Sequence, residues 1–334
     1  MTETGENPSA ADADSQAIAA GEPNEFVHDP VMLKEVLDVL SDVPDGLVVD
    51  ATVGGGGHSS ALLAANDGIS ILGLDRDEMA LGAAGARLAP HGSRVTLLHA
   101  RFDSLASKVH ELGYEEVSGC LFDLGVSSPQ LDLADRGFSF RNDGPLDMRM
   151  DQSAGQTAAD LVNHGDERTL VSLLRRNSDE RHAPRIVRAI VAARPISSTA
   201  QLADIVRDAI PAPARRTGGH PARKTFQALR IEVNDELAIL GDALTQALEL
   251  LAPAGRCAVL SYHSGEDRIV KRLFRDAAGE KPPPRPDLPP PPGQEATVRL
   301  LWRGANKPSE QEVARNPRAE AARFRAVEKL EEAA

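Results

Sequence analysis

Residues 46–65 read GLVVDATVGGGGHSSALLAA. An unbroken apolar run ends in Asp50, four consecutive glycines (Gly54–Gly57) follow, and the chain leaves them through His58 into a stretch rich in alanine and leucine. Ordering glycine in regular structure costs about 0.5–1 kcal/mol more than ordering alanine. Four in a row therefore mark a place where something passes close to the backbone or where the chain bends sharply. Outward from this stretch the pattern repeats. ISILGLD is a strand candidate and DEMALGAAGARLA a helix; RVTLLHA is a strand and FDSLASKVHELG a helix; VSGCLFDLG is a further strand. Strand and helix in alternation, with strands apolar throughout, predict an α/β fold with a parallel sheet covered on both faces.

The next strand candidate, GRCAVLSYHS, begins only at residue 256. The interval after Asp123 is far longer than a crossover needs, so a unit is inserted there. Residues 157–210 read as helical throughout, and residues 132–222 are expected to form a helical subdomain. A long helix over 225–251 then returns to the sheet, with Phe226, Leu229, Val233, Leu237, Leu240, Leu244, Leu248 and Leu251 stepping by three or four. A helix is expected after Pro30, a last strand in EATVRLLW, and a basic helix or arm in NPRAEAARFRAVEKL. Residues 1–24 read as an acidic disordered tail and the proline-rich 282–293 as a stiff extended loop. The sheet domain is thus expected over 25–131 and 223–334.

Bulk properties bound the function. The 334 residues, 41% apolar and 26% charged, are ordinary for a globular chain. No apolar run is long enough to span a membrane, and the N-terminus does not read as a secretory signal. Two distant cysteines and scattered histidines give neither a disulfide framework nor a zinc site, and a cytoplasmic location is expected. The net charge of −13 hides an uneven distribution. Residues 175–194 hold six arginines against Asp179 and Glu180, and residues 215–230 hold Arg215, Arg216, Arg223, Lys224 and Arg230 with no acid. Such clusters suit either solvated helix faces or a polyanionic partner.

The glycines can be tested against known loops. A Walker loop needs Lys-Ser or Lys-Thr after its last glycine, and His58-Ser59 stand there. A dinucleotide GxGxxG counted from Gly54 needs glycine at Ser59. The pattern acid-x-G-x-G-x-G is filled by Asp50, Gly54 and Gly56, with Thr52 in the first glycine slot. That is the nucleoside loop of S-adenosylmethionine enzymes, where no phosphate is present and no lysine is needed. Asp75, ending the next strand, is placed to accept from ribose hydroxyls. Phe102 suits either adenine or the core. These features specify a nucleoside cofactor and leave methyl transfer and hydride transfer both open. Asp123 ends the fourth strand, where open α/β sheets bind ligands, and Ser127-Ser128-Pro129-Gln130 is a partial relative of the polar-Pro-Pro-aromatic loop of amino-group methyltransferases.

The stretches HDPVMLKEVL, DATVGGGGHSS, GLDRDEMAL, LFDLGVSSPQLDLADRGFSFRNDGPLDMRMD, HPARKTFQALRIEVNDEL, SYHSGEDRIVKR and NPRAEAARFRA occur in this order. Together they closely resemble the bacterial ribosomal RNA small subunit methyltransferase H family, also called MraW, over about 26–330. The resemblance implies a Rossmann-like class I methyltransferase sheet with an inserted helical subdomain. It also implies S-adenosylmethionine-dependent N4-methylation of a decoding-centre cytosine in 16S rRNA, with the assembled small subunit as substrate; the oligomeric state is left open, a homodimer being one option. Its cofactor positions fall on Gly56, Gly57, His58, Asp75, Phe102, Asp123 and Gln130, so that Gly56, Gly57 and His58 touch cofactor while Gly54 and Gly55 shape the turn. The proton acceptor is either Asp123 or a backbone carbonyl at Ser128-Pro129. Phe138 and Phe140 stack on a base or anchor a loop. Arg215, Arg216, Arg223 and Lys224 meet RNA phosphates, and His263 lines the pocket. The chain departs from the family pattern at Tyr262, where phenylalanine is usual, at Gly265, where leucine is usual and where glycine should loosen the turn, and in HPARKTFQ. The competing readings are a non-catalytic assembly factor with a retained cofactor pocket and an NAD-type oxidoreductase.

Overall fold

The computed structural model describes residues 30–215, 219–280 and 295–331. The acidic tail, Arg216 and the proline-rich stretch lie outside the described residues. Five strands run parallel: β1 (Gly46–Asp50), β2 (Ile69–Asp75), β3 (Val95–His99), β4 (Val117–Asp123) and β5 (Leu251–Ser261). Two more complete the sheet, β6 (Val298–Leu300) and β7 (Arg323–Lys329), and β7 pairs antiparallel with both β5 and β6. The order of the seven strands is β3-β2-β1-β4-β5-β7-β6. This is a Rossmann-like sheet, as the resemblance implies. Its direction of winding reverses between β1 and β4, and open α/β sheets bind ligands beyond the strand C-termini at such a point.

Apolar layers cover both faces. One contains α1 (Leu33–Leu40), α2 (Gly57–Ala65) and α3 (Glu78–Leu88), whose Val36, Leu62, Leu63, Ala84 and Leu88 meet Val48, Ile71 and Phe324 of the sheet. The other contains α4 (Leu105–Glu111), where Leu105 and Val109 face the strands, and two later helices. Cys120 and Cys257 are register partners on β4 and β5 in this core, both free and buried, and burial pushes the Cys120 thiol up to about 12.

Between β4 and β5 lie the short α5 (Ser128–Asp132) and then α6 (Ala158–His164), α7 (Glu167–Ser178), α8 (Ala183–Ala193), α9 (Thr199–Ala209), α10 (Ala212–Arg215) and α11 (Arg223–Val233). Side chains begin several of them. Thr157 and Ser127 form capping boxes, and Asp166 and Ser198 accept first-turn N–H groups, each such cap contributing about 1 kcal/mol. These helices share a core of their own, built from Leu161, Leu170, Leu174, Ile186, Val206 and, from α11, Phe226 and Leu229.

The single helix expected over 225–251 is two. After α11 the chain breaks at Asn234 and Asp235, the latter left-handed at φ 51°, and α12 (Glu236–Leu250) starts afresh. The apolar periodicity runs through the break, so it cannot report it. Asn234 turns its side chain onto the insert instead: its Oδ1 accepts the Met150 N–H at 2.9 Å and its Nδ2 donates to the Met148 carbonyl at 2.7 Å. The expected C-terminal helix is also corrected. After α13 (Ser264–Ala277) and α14 (Glu310–Arg315), residues Pro317–Ala321 form a tight 3₁₀ turn and Arg323–Lys329 form β7. Alanine and glutamate favour helix locally, but Phe324, Ala326 and Val327 are buried in the sheet, and pairing with β5 overrides a weak propensity.

Candidate active site

Four side chains converge from the C-terminal ends of β1, β2, β4 and β5. Asp50 is buried. Its Oδ2 accepts the Ser59 hydroxyl at 2.6 Å and its Oδ1 the Thr52 N–H at 3.3 Å. Burial pushes its carboxyl up to about 6, against the pull of the Ser59 hydrogen bond. Asp75 accepts the Gly54 N–H at 2.9 Å and the Asp77 N–H at 2.9 Å, and burial raises it as well. Asp123 is half-buried; its N–H donates to Thr52 Oγ1 at 2.7 Å and its Oδ1 accepts the Tyr262 hydroxyl at 2.7 Å. Thr52, in the slot where the loop pattern has glycine, thus ties β1 to β4.

The four glycines differ in what surrounds them. Gly54 (φ 52°) and Gly55 face open space: an added Cβ on Gly55 meets nothing within 4 Å, and one on Gly54 meets only the Thr52 carbonyl at 3.8 Å. A Cβ on Gly56 (φ 75°) would lie 3.1 Å from Leu88, and one on Gly57 would lie 2.6 Å from Pro30. Packing against α3 and the N-terminal segment therefore demands glycine at 56 and 57. The close approach that an outside molecule needs is offered at 54 and 55. Phe102 follows β3, half-buried, edge-on to Phe122 at 6.1 Å. Carboxylates at three adjacent strand ends beside a bare backbone suit a nucleoside that carries a cationic sulfonium, so the residues present fit S-adenosylmethionine.

His58 opens α2 from inside, 6% exposed. Its Nε2 lies 3.0 Å from the Val31 carbonyl, which only accepts, so the neutral ring carries its proton there. Burial lowers its basicity, which favours the neutral ring. Its Nδ1 lies 3.6 Å from Asp123 Oδ2.

Other expected residues are placed differently. Gln130 is buried, its Nε2 donating to Asp77 Oδ2 at 2.8 Å and its Oε1 accepting the Ser127 N–H at 3.0 Å. Its amide is thus spent inside the protein, in a network that Arg136 completes at 2.8 Å from Asp77. Phe138 is buried beneath the Arg136 guanidinium, 5.8 Å from the ring centre, and presents no face to a base. Phe140 stacks on His220 at 4.3 Å and meets Phe226 edge-on at 5.0 Å, so it anchors its loop. Ser128 bonds to Arg318, which also binds Asp132 at 2.6 Å. Pro129 sits in the first turn of α5.

His263 does not reach outward. Its Nδ1 accepts the Gly265 and Glu266 N–H groups at 3.1 and 3.4 Å, capping α13. A Cβ at Gly265 would come within 3.0 Å of that ring, so glycine makes room for the cap rather than loosening the turn. Glu266 accepts the Tyr262 N–H at 2.8 Å; burial acts to raise it, but hydrogen bonding from His263 and the charge of Arg230 hold it below the usual range. Glu236, His263 and Glu266 offer atoms within 4.8 Å of one another. Arg230 holds both Glu236 oxygens, at 2.8 and 2.7 Å, and the His263 lone pair faces two N–H groups. Glu236 and the His263 Nδ1 are thus engaged by protein donors, and His263 Nε2 lies 3.2 Å from Glu266 Oε1.

The basic residues keep to the helical unit. Arg223 and Lys224 are exposed at the start of α11, and Lys224 reaches the Asp179 carbonyl at 3.3 Å beside the end of α7. Arg175, Arg181, Arg185 and Arg188 are exposed on or beside α7 and α8. Arg215 instead binds the Ile210 carbonyl at 2.7 Å, and Arg194 closes the end of α6 through the Val162 and Gly165 carbonyls at 2.7 and 2.6 Å.

Comparison with known proteins follows the same lines. A family model described as the MraW methylase family matches residues 25–330. A protein of Thermobifida fusca named ribosomal RNA small subunit methyltransferase H is 52% identical over 312 residues, covering 91% of this chain and 94% of that protein. One of the same name from Saccharopolyspora erythraea is 51% identical, covering 92% of this chain and 94% of its own length. Another, from Frankia casuarinae, is 55% identical over 290 residues, covering 85% and 89%.

Proposed function

Because the chain belongs to the MraW methylase family, we propose that it transfers a methyl group to N4 of a decoding-centre cytosine in 16S rRNA, within the assembled small subunit and in the bacterial cytoplasm. The chain is a methyltransferase that uses S-adenosylmethionine, which when bound supplies a methyl group made electrophilic by its sulfonium. The names carried by the relatives support small-subunit rRNA as the substrate class.

The observation that carries the reading is the placement of Asp123: a half-buried carboxylate at the end of β4, held through Oδ1 by Tyr262 at 2.7 Å and tied through its N–H to Thr52, two residues before the open backbone of Gly54 and Gly55. The exocyclic amine of cytosine is a poor nucleophile because its lone pair is delocalised into the ring. A carboxylate that accepts one of its N–H groups orients that lone pair and takes the proton as bonding proceeds. On this reading the bare backbone at Gly54 and Gly55 lets the cofactor approach while Gly56 and Gly57 seat the loop against Leu88 and Pro30, Asp75 accepts from its ribose and Phe102 borders its base. His58 borders Asp123, its Nδ1 3.6 Å from Oδ2. The target base must leave its stack, at a cost of a few kcal/mol, and Arg175, Arg181, Arg185, Arg223 and Lys224 draw in the RNA backbone.

The test uses the purified chain, methyl-labelled S-adenosylmethionine and small subunits from a strain lacking the mark. N4-methylcytidine in the digested 16S rRNA is the expected product. Label on another base, or cofactor binding with no label at all, overturns the reading.

A further inference from the structure

Tyr262 stands directly after β5, where the resemblance led to an expectation of phenylalanine. Three contacts define it. Its N–H donates to Glu266 Oε2 at 2.8 Å, its ring lies over Gly125, where an added Cβ would come within 3.3 Å, and its hydroxyl donates to Asp123 Oδ1 at 2.7 Å. Burial, with the charges of Asp123 and Glu266 nearby, holds the phenol well above its usual range, so it is a donor at every working pH.

The groups around Asp123 come from several elements. Asp50 lies at the end of β1 and His58 at the start of α2; Glu266 at the start of α13 and Glu312 on α14 act on the Tyr262 side. The neutral His58 ring turns its unprotonated Nδ1 toward Asp123 Oδ2 at 3.6 Å. Tyr262 therefore gives the carboxylate a neutral O–H donor in a neighbourhood otherwise rich in acids.

We propose that Tyr262 is a positioning residue of the methyl transfer: its hydroxyl fixes the rotation of the Asp123 carboxylate and keeps it ionised, so that Oδ2 receives the proton of the attacking amine. This rests on the reading of Asp123 as the proton acceptor. As the amine nitrogen bonds to the methyl carbon, the carbon–sulfur bond breaks with its electron pair on sulfur, and one N–H proton passes to Asp123 and then to solvent.

The sign of the effect follows. A hydrogen bond to the charged form lowers the pKa of a carboxyl group. Tyr262→Phe keeps the ring over Gly125 and removes that bond, so Asp123 stays protonated to higher pH. The acid limb of the kcat profile, measured with small subunits and methyl-labelled S-adenosylmethionine, should move up by on the order of one pH unit. At a pH below the limb, kcat falls about tenfold, while KM for the methyl donor and the melting temperature stay near the parent values. Asp123→Asn should abolish the limb. If Asp123→Asn abolishes the limb and Tyr262→Phe leaves it unmoved, the inference fails and the acceptor reading stands. If the limb survives in Asp123→Asn, the acceptor reading fails and the inference with it.

Discussion

The strand ends and the helical unit treat charge in opposite ways. At the strand ends, charged groups are buried and spent on fixed partners: Asp50 on Ser59, and Asp77 on Arg136 and Gln130. On the helical unit, Arg175, Arg181, Arg185, Arg223 and Lys224 stand exposed around an apolar core. A buried, hydrogen-bonded charge is held in one geometry and suits recognition of one small molecule. An exposed cation is mobile and screened by salt, and suits a long polyanion that offers many equivalent phosphates. The net charge of −13 averages these two designs and describes neither.

Substitutions can break this contrast, and the largest effect is expected at the strand ends. Arg136→Leu leaves Asp77 without its cation and the Arg149 and Met150 carbonyls without a donor. Removing one partner of such a buried pair should cost about 3–5 kcal/mol, measured by urea unfolding; a loss below about 1 kcal/mol would show that the network contributes little. An intermediate effect is expected in the glycine loop. Gly56→Ala forces a side chain to φ 75° against Leu88 and should cost at least about 1–2 kcal/mol. Gly55→Ala should leave stability unchanged or slightly higher while weakening S-adenosylmethionine binding roughly tenfold by calorimetry. Equal effects at the two positions would erase the distinction between packing and approach. The smallest change in stability is expected on the helical unit. Arg223→Ala with Lys224→Ala should shift it by no more than about 0.5 kcal/mol. The same pair should flatten the salt dependence of rRNA binding, by about one unit of log–log slope for each phosphate the two cations would otherwise neutralise.

How much of this was legible in the sequence depends on whether the deciding contact was local. The strands of 46–123 read clearly because buried parallel strands are apolar runs bounded by turns, and the acids at their ends inherit their position from that reading. β7 did not, because Arg323–Lys329 becomes a strand only beside β5 and β6. The break at Asn234 was hidden because its partners are the backbone of Met148 and Met150. Phe138 and Phe140, in a stretch rich in glycine and arginine, read the same whether they meet a base or, as found, Arg136 and His220. Tyr262 was visible as a departure, but nothing near it in sequence signals that its hydroxyl meets Asp123, 139 positions away. The Arg318 clamp on Ser128 and Asp132 gave no signal, since an arginine after Asn-Pro reads as surface.

The internal position of β7 bears on how the chain is made. β5 cannot be sealed, nor β6 paired, until residues 323–329 exist, and the Arg318 clamp and the Glu312 bond to the Met32 N–H come from the same late stretch. Throughout synthesis the nascent sheet therefore carries an open edge of the kind that invites wrong pairing. A ribosome that stops before codon 323 releases a product in which β5 and β6 have no strand between them.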